Sequence, residues 1–263
     1  ADGNLTIAAG YSDRVGGGND FALVRYTAAG GLDSSFCSTG SCLYSAATLG
    51  GGSATASAQA HDLVVRPTLG YAVAGFTATA ASGNDVVVVG LTTTGALDAA
   101  FGTGGVFRHH GAANGNTVTN SSERAFAIAR QTDGKLVVVG AGATGTTIAA
   151  GDDLVVYRLN TNGTLDTSFD GDGIAVTGAA SPAGTRNDSG RAVAIQSDGR
   201  IVVAGYSSDG TGTSGNPRIT VWRFTAAGAL DTTFNGTGFF ADPTSLSLLN
   251  VNEQRLGVAI DSS

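Results

Sequence analysis

A single spacing recurs along this chain and constrains its fold more than any other feature. A short apolar segment ends in glycine every 65 residues, at Gly10, Gly75, Gly140 and Gly205. Each copy continues with a second apolar segment and then the tail Gly-x-Leu-Asp-x-x-Phe, which ends at Phe36, Phe101, Phe169 and Phe234. Four copies at one period indicate a tandem array of like units that bury their apolar faces against one another.

Each copy contains four strand signals, recognised as β-branched runs between glycine-rich turns. In the fourth copy they are residues 192–196, 200–205 and 218–225 and the stretch around 238–240, with a tight turn at 197–199. We name the strands of each copy a to d in chain order. Four antiparallel strands in succession form a meander, and a tandem array of meanders builds a β-propeller.

The two ends of the chain complement each other. Residues 257–260 repeat the pattern of strand a at 192–195, whereas the first copy begins at strand b. The sequence therefore predicts an all-β fold, a β-propeller of four four-stranded antiparallel blades in a single domain over residues 1–263. The ring is expected to close by joining N- and C-terminal strands in one blade, with residues 252–263 supplying strand a, which leaves no open sheet edge. The alternative is a piece of a longer array.

Two strings of the fourth copy carry a family resemblance. They are Arg-Ala-Val-Ala-Ile-Gln-Ser-Asp-Gly-Arg-Ile-Val-Val-Ala-Gly-Tyr at 191–206 and Thr-Ala-Ala-Gly-Ala-Leu-Asp-Thr-Thr-Phe at 225–234. With these motifs the chain resembles the bacterial delta-60 repeat family over essentially its whole length. The resemblance implies a β-propeller in a secreted or surface bacterial protein, and it implies no shared catalytic chemistry. The longer loops and a cysteine pair depart from the family pattern.

Charge and cysteine content restrict the partners and the compartment. The chain carries 14 basic and 21 acidic residues, a net charge of −7, which disfavours nucleic acid as a partner. The apolar runs are far too short for a membrane span. Cys37 and Cys42 flank the turn Cys-Ser-Thr-Gly-Ser-Cys, which predicts a local disulfide. Together with a start at Ala1 that lacks methionine, this indicates a secreted, extracellular or cell-surface protein.

The connections between strands divide the propeller into two faces. The a–b and c–d turns are short and alike in all copies, and their glycines are expected at positive φ; we call their side the tight face. The b–c and d–a connections differ in length and content, and we call their side the variable face. Because variable loops on a rigid scaffold commonly carry binding sites, we expect any ligand on the variable face.

Basic residues converge where the central channel should open on the variable face. Arg124 and Arg191 each precede strand a, His61 stands at the matching place in the second copy, and Arg255 lies one residue early. Arg218 replaces the aspartate that begins strand c in the other copies. This pattern predicts a site for an acidic small molecule, glycan or protein ligand. The alternative is that the basic side chains pair with the aspartates of strand c or are simply solvated.

The remaining acidic and histidine motifs have structural explanations. Asp170 and Asp172 lie in Asp-Gly-Asp-Gly, which indicates a glycine turn or a weak calcium site, since the further ligands of a calcium loop are missing. His109 and His110 fit no metal-binding frame. The aspartates of the repeated tail should cap their turns or pair with the arginine of strand c. The second copy has Gly90 in that place, so backbone capping should suffice at Asp98.

No catalytic frame is present in the sequence, and Gly-x-Ser-x-Gly does not occur. We therefore expect no cofactor and a secreted, non-catalytic module for binding, adhesion or scaffolding, with its ligand on the variable face. The alternative is a secreted hydrolase or lyase with an active site on the same face, because fold alone does not determine function.

Overall fold

The computed structural model describes residues 7–13, 17–52, 55–79, 83–112, 122–143, 151–178, 180, 186–208, 217–242 and 256–261. Within these ranges the chain is all-β and contains no helix. Sixteen strands form four separate sheets, as the repeat predicts.

Each sheet is built from one repeat. The first contains β1 (Ile7–Asp13), β2 (Asn19–Arg25) and β3 (Ser41–Tyr44). The second contains β4 (Ala58–Arg66), β5 (Gly70–Thr79), β6 (Gly83–Leu91) and β7 (Val106–His109). The third contains β8 (Glu123–Arg130), β9 (Leu136–Ala143), β10 (Gly151–Leu159) and β11 (Ile174–Thr177), with β12 (Arg186–Asn187) beside β10. The fourth contains β13 (Ser189–Ile195), β14 (Ile201–Ser208), β15 (Pro217–Phe224) and β16 (Phe239–Ala241).

The strands of each sheet follow one another as an antiparallel meander, and only the short β12 pairs in parallel. The prediction of four-stranded antiparallel sheets is confirmed for the second, third and fourth sheets. The first sheet has strands b, c and d, but Leu256–Asp261, the described part of the expected strand a, adopt no strand.

Consecutive sheets pack against each other through three apolar clusters. The first cluster joins Phe21 and Phe36 of the first repeat to Val87 of the second, and equivalent clusters lie between the second and third and between the third and fourth sheets. The innermost strands also touch in succession, β1 with β4, β4 with β8 and β8 with β13. The sheets are therefore stacked side by side, as blades of a propeller are.

Turn aspartates and arginines hold the tight face together. Asp33 accepts hydrogen bonds from the amide and hydroxyl of Ser35 and, at 2.8 Å, from Nε of Arg25. The third and fourth repeats make the same arrangement with Arg158–Asp166 and Arg223–Asp231. The expectation that backbone capping suffices in the second repeat is wrong, because Arg66 at the end of β4 pairs with Asp98 at 3.1 Å.

These arginines also reach the next sheet. Arg25 donates to the carbonyl of Thr93, Arg66 to that of Thr161 at 3.2 Å, and Arg158 to that of Ala226. Each acceptor lies in the c–d turn of the following repeat, whose glycine adopts positive φ as predicted, for example 89° at Gly95. Each consecutive pair of sheets is thus tied by a buried guanidinium as well as by apolar packing.

Candidate functional site

Three β-bulges occur at the same register in the second, third and fourth sheets. In each, a residue of strand a pairs with the glycine that ends the repeat motif, and the next residue is the extra residue of the bulge. These extra residues are His61, Phe126 and Arg191, which we call the bulge triad. A β-bulge redirects the side chain of its extra residue, and bulges are common beside functional sites.

The bulges correct the predicted equivalence of Arg124 and Arg191. Arg124 lies two residues before the bulge of β8, so the counterpart of Arg191 is Phe126. Both arginines lie within their strands rather than ahead of them. A count of 65 residues back from Arg191 returns Phe126 and then His61. The period of the sequence therefore contained the signal for the correct equivalence.

A cavity of about 920 Å³ lies where the four sheets converge. The first sheet contributes Ala9, Gly10 and Tyr11, and β4, β8 and β13 contribute residues around their bulges, including His61, Arg124 and Arg191. Leu256, Gly257 and Val258 complete the lining. Three of the predicted site residues therefore share one cavity. Arg255 lies outside the described residues, and Arg218 is not part of the cavity wall.

The cationic and aromatic side chains of the cavity are stacked on one another. The guanidinium of Arg191 lies 3.7 Å from the ring centroid of Phe126. Phe126 stacks on His61 with ring centroids 5.2 Å apart, and His61 contacts Phe76 at 5.5 Å. Arg124 lies over the other aromatic ring of this series, Phe76, at 5.5 Å. Cation–π and ring contacts of this kind hold the side chains in defined positions.

Neutral groups accept some of the hydrogen bonds that the guanidinium groups of Arg191 and Arg124 can donate. Arg191 donates to the hydroxyl of Tyr206 at 2.9 Å, and its buried Nε has no hydrogen-bond partner among the described residues. Nε and a terminal nitrogen of Arg124 each donate at 3.0 Å to the side-chain oxygen of Asn84. In the described ranges, neither guanidinium has a carboxylate oxygen within 4.0 Å. The two positive charges are thus held without a direct counter-ion.

Asp152 lies within electrostatic reach of Arg124 and Arg191 without forming an ion pair with either, and Asp62 lines the same cavity as they do. Burial raises the pKa of Asp152, and the charges of Arg124 and Arg191 act in the opposite direction. Burial likewise raises the pKa of Asp62, a cavity residue that accepts a hydrogen bond from the amide of Ile128 at 2.9 Å. Both shifts favour the neutral acid over the carboxylate, because the low-dielectric surroundings penalise charge. The sequence reasoning missed both residues.

The aspartates that begin strand c occupy the predicted register. Asp20, Asp85 and Asp153 pair across strand b at the position that Arg218 holds in the fourth sheet. A carboxylate oxygen of Asp85 lies 3.0 Å from Nδ1 of His110, and the other lies 3.7 Å from Nε of Arg108. These contacts bind the aspartate within the second sheet, so the predicted alternative of pairing with the channel arginines does not describe Asp85.

The calcium candidates lie in an inter-sheet turn. Asp170 has a φ of 49°, and its counterparts Cys37 and Asn235 have similar values of 50° and 52°. The amide of Asp170 donates to the carbonyl of Ala227 at 2.8 Å. Asp172 accepts from the amide of Ile174 at 2.8 Å. Within the described residues, no group of three or more histidine, cysteine or acidic side chains could hold a metal ion. The contacts of both aspartates are those of a turn.

The predicted disulfide is present. Cys37 and Cys42 are bonded across the turn that precedes β3, with Cα atoms 5.6 Å apart. A Cβ placed on Gly95 of the next c–d turn would meet both sulfur atoms. The disulfide thus lies in the seam between the first and second sheets, where only a glycine leaves room for it.

The stacked meanders and their shared cavity define the chain as a β-propeller repeat protein. Residues 1–36, 131–169 and 196–234 match the model of a family described as a β-propeller domain of unknown function (DUF5122). The predicted β-propeller repeat family is therefore confirmed. The three matches cover strands b and c and the aspartate–phenylalanine tail of the first, third and fourth repeats.

No curated protein is significantly similar to the chain. Among the described residues, none forms a helix of the length and apolarity that a bilayer crossing requires.

Proposed function

We propose that this chain is a secreted or cell-surface, non-catalytic binding module, a closed four-bladed ring whose central cavity takes an acidic ligand from the variable face. The observation that carries the proposal is the state of Arg124 and Arg191: both line the cavity, and neither pairs directly with a carboxylate of the described residues. A positive charge held in place by neutral partners is a favourable site for an anion, because little rearrangement is needed to bind it.

The glycine of the repeated strand b motif, at Gly10 in the first repeat, supports ring closure. A Cβ on Gly75, Gly140 or Gly205 would overlap the backbone carbonyl of the strand a packed against it, which explains why the repeat has glycine there. Gly10 occupies the same position in the first repeat, yet no atom of the described residues lies within 4 Å of a Cβ placed on it. A strand a supplied by residues 252–263 would account for this glycine, and Leu256 lines the same cavity as Gly10.

The tight face supports closure independently. Gly95, Gly163 and Gly228 of the c–d turns each pack against the preceding repeat, whereas a Cβ on Gly30 would meet no atom of the described residues within 4 Å. Arg223 of the fourth repeat bonds Asp231 and Thr233 but, among the described residues, lacks the carbonyl in a following turn that Arg25, Arg66 and Arg158 reach. The open sides of the first and fourth sheets therefore carry matching groups, and docking them would complete the repeated contact.

The disulfide supports an oxidising compartment, since such bonds are rare where thiols are kept reduced. The resemblance to secreted and surface proteins points the same way. Binding on a rigid ring suits adhesion or scaffolding, and no observation on the described residues favours hydrolysis or elimination.

The test is equilibrium binding of a panel of acidic small molecules and acidic oligosaccharides, measured by calorimetry. We expect at least one acid to bind, and Arg191→Gln and Arg124→Gln to weaken it tenfold or more, on the order expected for a charge-assisted bond. Arg130→Gln is the matched control, because Arg130 is an exposed arginine at the opposite end of β8. Absence of binding, or equal binding by all variants, would refute the proposal.

A further inference from the structure

The bulge position is chemically different in each repeat. Its neighbours are alike, with Ala60, Ala125 and Gly190 before it, but the bulge triad itself is histidine, phenylalanine and arginine. One further period from Arg191 leads to Leu256, which lines the same cavity. A framework that repeats around a variable position is the arrangement expected of residues that select a ligand.

We infer that the bulge triad and Leu256 select the ligand, and that this ligand is a monocarboxylic acid with an apolar body. The inference rests on the proposed binding function and specifies the chemistry of that same site.

Arg191 is suited to the acid group. One face of its guanidinium lies on Phe126, one terminal nitrogen is committed to Tyr206, and Nε faces no acceptor among the described residues. A guanidinium edge matches the two oxygens of a carboxylate.

The cavity also offers surface suited to hydrocarbon. Ala9, Val193, Leu256 and Val258 line it, and the ring of Phe126 beside Arg191 is only partly buried. A small hydrophilic anion would leave this surface in contact with water. An acid with a hydrocarbon body would cover it, and apolar burial of about 25 cal/mol per Å² makes even one ring's worth of contact a substantial gain.

The experiment compares four probes with the intact chain. Acetate carries only the acid group, phenylacetate adds an apolar ring, glucuronate adds a polar body, and phenylacetamide keeps the ring without the charge. We expect phenylacetate to bind about tenfold or more tightly than acetate or glucuronate. Phenylacetamide should bind at least tenfold more weakly than phenylacetate. These comparisons need no variant and do not depend on how a substitution folds.

Variants then assign the two roles. Phe126→Ala should weaken phenylacetate by a larger factor than acetate, whereas Arg191→Gln should weaken both acids by similar factors. Val176→Ala, a change of an exposed apolar residue on β11, is the control for the first and Arg130→Gln for the second. Far-ultraviolet circular dichroism and urea unfolding establish that each variant is folded.

The outcomes separate the inference from the proposed function. If glucuronate or acetate binds as tightly as phenylacetate, the cavity binds acids but the apolar-body inference is wrong. If phenylacetamide equals phenylacetate, the acid group is irrelevant and both the inference and the acidic-ligand proposal fall. If none of the four binds while another acid of the broader panel does, only the inference is lost.

Discussion

Arg66 and Asp98, which lie 32 residues apart, form an ion pair with a nitrogen–oxygen distance of 3.1 Å. In the other repeats the corresponding aspartate pairs instead with an arginine of strand c. Strand c of the second repeat carries Gly90, where a Cβ would overlap the ring of Phe101. The guanidinium of Arg66 lies 4.8 Å from the centroid of Phe101, as that of Arg25 does from Phe36. The second repeat has therefore moved its arginine to another strand and kept the charge, the ring contact and the bridge to the next sheet.

Arg66→Met should destabilise the protein by about 3 kcal/mol, because it leaves Asp98 without its cation in a largely buried seam. Urea unfolding measures the change. Arg200→Met is the control: the Arg200 side chain is 39% exposed, and Asp231 keeps its second cation, Arg223. That substitution should cost about 1 kcal/mol or less. Equal losses for the two variants would contradict the structural role of Arg66.

Gly10→Ala reports on ring closure, because no atom of the described residues lies within 4 Å of the added methyl group. If residues 252–263 pack there as strand a, the methyl overlaps a carbonyl and stability should fall by about 1–3 kcal/mol. If they do not, the lower entropy of the unfolded chain should raise stability by about 0.4–1 kcal/mol.

Thermal unfolding distinguishes the two signs for Gly10→Ala. Gly75→Ala is the matched control, since its strand a is present and its methyl would overlap the carbonyl of Gln59. We expect the two variants to be destabilised alike. A stabilised Gly10→Ala beside a destabilised Gly75→Ala would overturn the closed ring.

Replacing Cys37 and Cys42 together by serine should lower stability by about 2 kcal/mol, because the closed loop is short and the entropic gain of a disulfide grows with loop length. Denaturant unfolding of the variant against the oxidised parent measures the difference. Intact mass with and without reductant checks the bond itself, and two free thiols in protein exported to an oxidising compartment would count against it.

Acid should weaken the fourth repeat through Asp231. Hydrogen bonding from Thr233, together with Arg223, lowers the pKa of Asp231 to about 2, below its unfolded value of about 3.9. The folded state therefore binds fewer protons, so the stabilisation is present above pH 4 and is lost as the pH falls towards 2. Urea unfolding between pH 5 and pH 2 should show a shallower decline for Asp231→Asn than for the parent. An unchanged slope would exclude this group.

The strands, turns and disulfide follow from local signals and could be predicted. Strand b and strand c of the fourth repeat were expected at 200–205 and 218–225 and are found at Ile201–Ser208 and Pro217–Phe224. Glycine at the c–d turns predicted a positive φ there, which is observed at Gly163 and Gly228. Such features depend on neighbours in the chain, which a sequence displays directly.

Contacts between distant residues were harder to predict. Arg66 pairs with Asp98 because the end of β4 and the segment after the c–d turn of the same repeat both lie at the tight face. No spacing within one repeat indicates this pairing. Tyr206 and Asn84 fix Arg191 and Arg124 from other strands. Arg124 and Arg191 occupy different positions of strand a, because only Arg191 is the bulged residue and Arg124 lies two residues before the bulge of its own strand.

A bulged residue has no partner across the strand, so exchanging its side chain leaves the ladder of backbone hydrogen bonds intact. In this chain that freedom recurs in the second, third and fourth repeats at a common level of the channel. Mutation or recombination among repeats can therefore rewrite the chemistry of the channel one repeat at a time, while folding remains under the control of other residues. Such a scaffold can diversify its recognition without first acquiring surplus stability.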